Sequence, residues 1–157
     1  MKKRILVIII LFLLTLSAFV PMNTLLLSYE NQNIIVQPFL EEKDVSIRWT
    51  HSVEKEDWEE FFHIQKGTIL LTSTRFKTFG AGVPDHAGDD TYIKDGWVYM
   101  TGIHQTIGSS LRFQTGKGTN HRVLLDGRTI SLDPQVSYQL SVRSFPLYKL
   151  IYMIVKD

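Results

Sequence analysis

From about residue 30 onward the chain shows no sustained apolar period of a helix. Short stretches of alternating apolar and polar side chains recur instead, bounded by Gly, Asp, Asn or Lys. Successive side chains of a strand point to opposite faces, so each stretch can bury one face and wet the other. A succession of such stretches predicts an all-β protein, an antiparallel β-sandwich or flattened barrel of roughly seven to ten strands. Ile34 to Val36 reads as an opening edge strand. Val45 to Val53, Trp58 to Gln65, Thr68 to Phe79 and Trp97 to Met100 follow, with 80–91 as a polar, glycine-rich loop. Leu111 to Gln114, Arg122 to Leu125, Thr129 to Leu132 and Ser137 to Val142 complete the set. Lys66-Gly67, Asp95-Gly96 and Asp126-Gly127 are the turn signals between neighbours. Leu147 to Val155 is densely apolar with little alternation. It reads as a strand buried on both faces, with a short C-terminal helix as the alternative.

The N-terminus is of another kind. Lys2, Lys3 and Arg4 precede an apolar run from Ile5 to Val20, and a second apolar patch covers Leu25 to Leu27. This is either a signal peptide or an uncleaved membrane anchor. The site "SAFVPM" lacks the small-residue A-x-A signature of cleavage, which favours the anchor. Counted to Leu27, the segment is long enough to cross a bilayer, with the basic cluster inside. The expected organisation is therefore 1–27 as leader or single-pass anchor and 28–157 as an extracytoplasmic all-β domain on the cell membrane. Without a cysteine, that domain has no disulfide and must be held by its core. The chain's 18 aromatic residues make such a core reasonable. Once the three N-terminal cations are set aside, 14 Lys and Arg face 16 acids. That balance argues against a nucleic-acid partner, which would want a basic stripe.

The stretch "RWTHSVEKEDWEEFF" (48–62) carries the most chemistry. Alternation puts His51 where an apolar side chain is expected. A hairpin with Glu54-Lys55-Glu56-Asp57 as its loop sets Val53 against Trp58, His51 against Glu60, Trp49 against Phe62 and Ile47 against Ile64. Carrying the pairing to the next strand sets Phe62 against Leu71, Glu60 against Ser73 and Trp58 against Arg75. One face would then hold a row of His51, Glu60 and Ser73, with Arg75 a diagonal step away. A carboxylate between an imidazole and a guanidinium can be satisfied by charge-assisted hydrogen bonds. Such a row is either a buried network that fixes register or a site for a small anionic ligand, with Arg75 as the anchor.

The same residues resemble a known family. "WTHSVEK" (49–55), then Trp58 and Glu60, then "TRFKTFGAG" (74–82) are similar to domain-of-unknown-function family 1850, small bacterial proteins with an N-terminal hydrophobic segment. The resemblance falls on His51, Ser52, Glu54, Lys55, Trp58, Glu60, Arg75, Gly80 and Gly82. An acidic residue is common in the family where this chain has Ser73. The resemblance implies a genomic neighbourhood, beside permeases of TAXI-type tripartite ATP-independent periplasmic (TRAP) transporters, and no transferable activity. The ligand-binding candidates are accordingly His51, Glu54, Glu60, Arg75, Gly80 and Gly82.

Other patterns carry less. The histidines His51, His63, His86, His104 and His121 include no i, i+4 pair, and no cysteine assists, so no zinc motif is recognised. "DHAGDD" (85–90) lacks the ligand offsets and closing Glu of a calcium loop. "TGKGT" (115–119) lacks the distal glycine of a phosphate loop and the hydroxyl after its Lys. The Gly80-Ala81-Gly82 loop could offer backbone N–H groups to an anion. No metal and no cofactor are expected. The leading expectation is a non-enzymatic, membrane-tethered accessory or binding protein of a TAXI-type TRAP transporter, with the permease or the TAXI solute-binding protein as partner. The alternatives are a hydrolase in which Glu60 orients His51 as base, with Ser73 as the one available nucleophile, and a purely structural surface domain.

Overall fold

The computed structural model describes residues 2–30, 32–80, 84 and 86–156. A helix α1 (Lys2–Ser17) is followed by β1 (Pro21–Tyr29), β2 (Gln32–Phe39), β3 (Glu42–Thr50), β4 (Asp57–Gln65) and β5 (Thr68–Phe76). Then come β6 (Asp90–Lys94), β7 (Trp97–Gly108), β8 (Ser110–Gln114), β9 (Arg122–Leu125), β10 (Arg128–Ser131), β11 (Ser137–Pro146) and a helix α2 (Leu147–Lys156). The strands form two antiparallel sheets. The smaller has the order β2-β1-β11-β8 and the larger β10-β9-β3-β4-β5-β7-β6. Their inner faces share one core. Leu25, Leu27, Ile35, Tyr138, Leu140 and Val142 of the small sheet meet Val45, Ile47, Phe62, Ile64, Ile69 and Val123 of the large one. The all-β expectation holds, with the sheets stacked face to face as a sandwich.

The turns form as their dipeptides require. Lys66-Gly67, Asp95-Gly96 and Asp126-Gly127 all have positive φ at both central residues. That is the mirror-image turn whose twist matches the flanking strands.

Two segments depart from expectation. Pro21–Tyr29 does not continue the N-terminal apolar segment; it is the central strand β1, with Leu25 and Leu27 fully buried. The boundary drawn at residue 27 thus falls inside a strand. No helix among the described residues is long and apolar enough to cross a membrane. Leu147 to Val155 is a helix, the alternative reading, because Leu147, Leu150 and Met153 turn toward the sandwich at helical spacing.

The register also differs. In the β3–β4 hairpin Trp49 lies opposite Trp58, Ile47 opposite Glu60 and Val45 opposite Phe62. The ladder stops at Thr50–Asp57 because residues 51–56 close their own turn. His51 N–H donates to Glu56 O at 2.8 Å and Lys55 N–H to His51 O at 3.0 Å. The slip from the expected pairing is an even number of residues, so every side chain keeps its expected face. The β4–β5 hairpin starts as expected, with Ile64 opposite Ile69 and Phe62 opposite Leu71. A bulge then leaves Thr72 without a partner. One extra residue reverses parity beyond it. Phe61 faces Ser73, Glu60 faces Thr74, and Glu59 faces Arg75. Ser73 and Arg75 therefore leave the inner face.

A candidate ligand cleft between the sheets

The expected row of His51, Glu60, Ser73 and Arg75 is not assembled; its members are divided between two faces of the large sheet. On the outer face Arg75 belongs to a compact ionic cluster around Glu59, which is 1% exposed. Arg48 donates to Glu59 Oε2 through Nε at 3.0 Å and Nη2 at 2.6 Å, and Arg75 donates to the same oxygen at 2.9 and 2.6 Å. Ser46 Oγ donates to Oε1 at 2.6 Å. Arg75 also donates to the Tyr99 hydroxyl and lies 4.4 Å from the Trp97 ring centroid. Burial alone would raise the Glu59 carboxyl, but the donors from Ser46, Arg48 and Arg75 outweigh it and hold it below the usual carboxylate range. One carboxylate with two guanidiniums is a satisfied network, and it occupies the Arg75 fork on the face opposite His51. A small anion held jointly by Arg75 and His51 would have to touch both faces of one sheet.

On the inner face the sequence-chosen residues meet different company. His51 and Glu60 both line a cleft of about 480 Å³ between β3 and β4 of the large sheet and β8 with the 115–121 loop. Its walls are rings. His51 packs on Trp58 at 5.7 Å, Trp58 stacks on Trp49 at 5.4 Å, and Trp49 stacks on His121 at 5.8 Å. His121 faces Phe113 at 6.4 Å, so the ladder crosses from one sheet to the other. Local pairing explains the tryptophans, since Trp49 and Trp58 are directly opposed across the hairpin. Trp58 Nε1–H is spent on Thr74 Oγ1 at 2.7 Å, which fixes that ring.

Two titratable groups of the cleft, Glu60 and His121, are shifted toward their neutral forms. Burial raises the Glu60 carboxyl, and among the described residues nothing donates a hydrogen bond to it or pairs with it. Burial lowers the His121 imidazole, whose Nδ1 lies 2.7 Å from Thr119 Oγ1. A site that penalises charge of either sign favours an uncharged guest with a flat apolar face and a hydrogen-bonding edge.

Glu54 and Gly80 lie outside the cleft lining, behind His51. Glu54 pairs with His51 Nδ1, which orients that ring. Gly80 lies against the same carboxylate, and any Cβ there would overlap it. The cavity beneath them, about 10 Å³, has room for one water at most. Gly82 lies outside the described residues. Ser73 points away from the cleft, so the nucleophile of the hydrolase reading is not beside His51; Ser52 lines the cleft instead. Among the described residues no group of three or more His, Asp or Glu is placed to hold a metal ion. A second concavity, about 380 Å³, lies on the outer face of the small sheet and is lined by hydroxyls, amides, Arg112 and Arg143.

Sequence reasoning missed Phe113 and His121. Both reach the cleft from strands and loops more than 50 residues distant, and no local pattern marks them. Trp49 was visible only as part of its motif.

Neither the curated proteins nor the solved structures include a match to this chain. A family model described as a domain of unknown function, DUF1850, matches residues 45–132, just over half the chain. That span runs from β3 through Leu132 and contains every described residue of the cleft wall, from Ile47 to His121. The chain belongs to the DUF1850 family.

Proposed function

We propose that this chain is a non-catalytic, membrane-tethered extracytoplasmic binding protein whose ligand site is the aromatic cleft, and that it serves a TAXI-type TRAP transporter. The observation that carries the ligand half is the cleft itself: about 480 Å³, walled by Trp49, Trp58, Phe113 and His121, with Glu60 in its lining. That volume suits a small molecule, and stacked rings with few polar groups are what such sites are made of. The ligand class it favours is a small, uncharged molecule with a planar face, since Glu60 and His121 are both pushed toward their neutral forms. The tether rests on the basic and apolar α1, and the transporter link on the family resemblance alone.

Each half has its own test. Saturable quenching of tryptophan fluorescence by 4-nitrobenzamide, lost in Trp49→Ala, is the expected result for the cleft; purely collisional quenching that Trp49→Ala leaves unchanged would refute it. For the partner, a tagged chain drawn from membranes of its own host should carry the transporter permease or its solute-binding protein. Recovery of neither refutes the transporter link and leaves the cleft untouched.

A further inference from the structure

We infer that α2 is a second membrane contact, lying in the lipid headgroup region beside the point where α1 leaves the sandwich. The inference rests on the tethered reading of α1. The two helices are joined at one place. Leu147 N–H donates to Val20 O and Tyr148 N–H to Ala18 O, and the Phe19 and Tyr148 rings meet at 5.6 Å. The depth of the α1 exit therefore sets the depth at which α2 begins.

That depth is shallow for a reason of length. Sixteen helical residues rise about 24 Å, short of a hydrocarbon core of about 30 Å. With the Lys2-Lys3-Arg4 end held at one interface, the Ala18-Phe19-Val20 exit stays below the opposite headgroups. Phe19 and Val20 are 68% and 53% exposed, as suits residues solvated by lipid.

The composition of α2 fits this position. Its inward side, Leu147, Leu150 and Met153, rests on the sandwich, while half-exposed Ile154 lines an open concavity with Ile34, Val36 and Ile130 at the β2 and β10 edges. Its outward side should be polar in a water-exposed helix. It carries instead Tyr148, Ile151, Tyr152 and Val155, spaced i, i+3, i+4, i+7, each more than half exposed. Lys149 and Lys156 flank that stripe, their ammonium groups 4.9 and 5.9 Å from the Phe145 and Tyr152 ring centroids. Tyrosines beside lysines around an aliphatic stripe are what the interface selects: rings at headgroup depth, ammonium groups reaching up to lipid phosphates. The occupant this argues for is lipid, with anionic headgroups for the lysines.

The chain has no cysteine, so single probes can be placed cleanly. The full-length chain would be prepared as Ile9→Cys, Val155→Cys and Ile93→Cys, each spin-labelled and reconstituted into vesicles of equal parts phosphatidylcholine and phosphatidylglycerol. The readout is accessibility to oxygen against accessibility to a water-soluble nickel chelate. Ile93 is 75% exposed on β6, about 29 Å of sheet away from β10, and serves as the aqueous reference. The expected result is oxygen-rich, chelate-poor labels at Ile9 and Val155 and the reverse at Ile93. A lipid signal at Ile9 with an aqueous one at Val155 overturns the inference and leaves the tether standing. An aqueous signal at Ile9 overturns both. A Val155 label shielded from oxygen and chelate alike reports a protein on this face, a second copy or another chain, and also overturns it.

Discussion

Replacing Glu59 by alanine removes the centre of the outer-face cluster and is the sharpest stability test of the bulged register. Five hydrogen bonds to its carboxylate would be lost, four of them from guanidinium groups. The larger loss is what remains: Arg48 and Arg75, side by side, with side-chain exposures of 22% and 20% and no counter-charge. Breaking a buried pair from one side costs about 3–5 kcal/mol, and the partial hydration of both guanidiniums argues for the low end, about 3 kcal/mol. In a chain of this size that is a fall in Tm of about 6–12 °C. Thermal unfolding followed by circular dichroism measures it at neutral pH. Replacing all three charges together, Arg48→Met, Glu59→Leu and Arg75→Met, should restore most of the loss, since no stranded charge is left. A Glu59→Ala loss below about 1 kcal/mol, the value of an exposed pair, would refute the reasoning. It would mean that the arginines do not converge on Glu59, as in the unbulged register that sets Arg75 opposite Trp58.

Three further outcomes follow from the same geometry. Glu60 has a raised carboxyl in the folded state, so the folded chain holds that proton longer than the unfolded one. Its contribution is fully present below the ordinary glutamate range and lost as pH rises through the raised value. Glu60→Gln should therefore be more stable than the parent at pH 7, with the gap closing in acid; urea unfolding at both pH values checks this, and a pH-independent gap contradicts it. Gly80→Ala drives a methyl into the Glu54 carboxylate, which must swing off His51, and should cost about 1 kcal/mol, the low end of overpacking; an unchanged urea midpoint would contradict the packing of Glu54 on Gly80. Deleting Thr72 removes the bulge residue and makes the observed pairing continuous, with Ser73 still opposite Phe61, Thr74 opposite Glu60 and Arg75 opposite Glu59. A cooperative, native-like transition is the expected result, and loss of cooperative unfolding would contradict the bulge.

The all-β class was legible because alternation and turn chemistry agree at Lys66-Gly67, Asp95-Gly96 and Asp126-Gly127. The inner-face membership of Ile47, Trp49, Trp58, Glu60, Phe62 and Ile64 was legible for the same reason, and it survived the wrong register because an even slip keeps parity. The bulge at Thr72 left no mark in the sequence, since threonine fits a ladder as well as it fits a bulge, and it alone moved Arg75 to the other face. β1 was hidden because Leu25 to Leu27 continue the apolar character of the preceding segment; its partner β11 lies more than 100 residues away. α2 was ambiguous because it is short and densely apolar, and an apolar run of that length reads as a buried strand as readily as a helix. His51 and Glu60 were chosen for a pairing they do not make, yet they share a cleft. What unites them is the ring ladder that His121 and Phe113 complete from the far side of the sandwich.

The central claim is that this cleft holds an uncharged planar ligand. Trp97 lies on the outer face, so Trp97→Phe leaves Trp49 and Trp58 as the only tryptophans, both on the cleft wall. Titrating that variant with 4-nitrobenzamide and with 4-nitrobenzoate compares two probes of one shape that differ in charge. The account predicts saturable quenching by the amide at neutral pH and far weaker quenching by the carboxylate. Equal, unsaturable quenching by both, or tighter binding of the carboxylate, would contradict it.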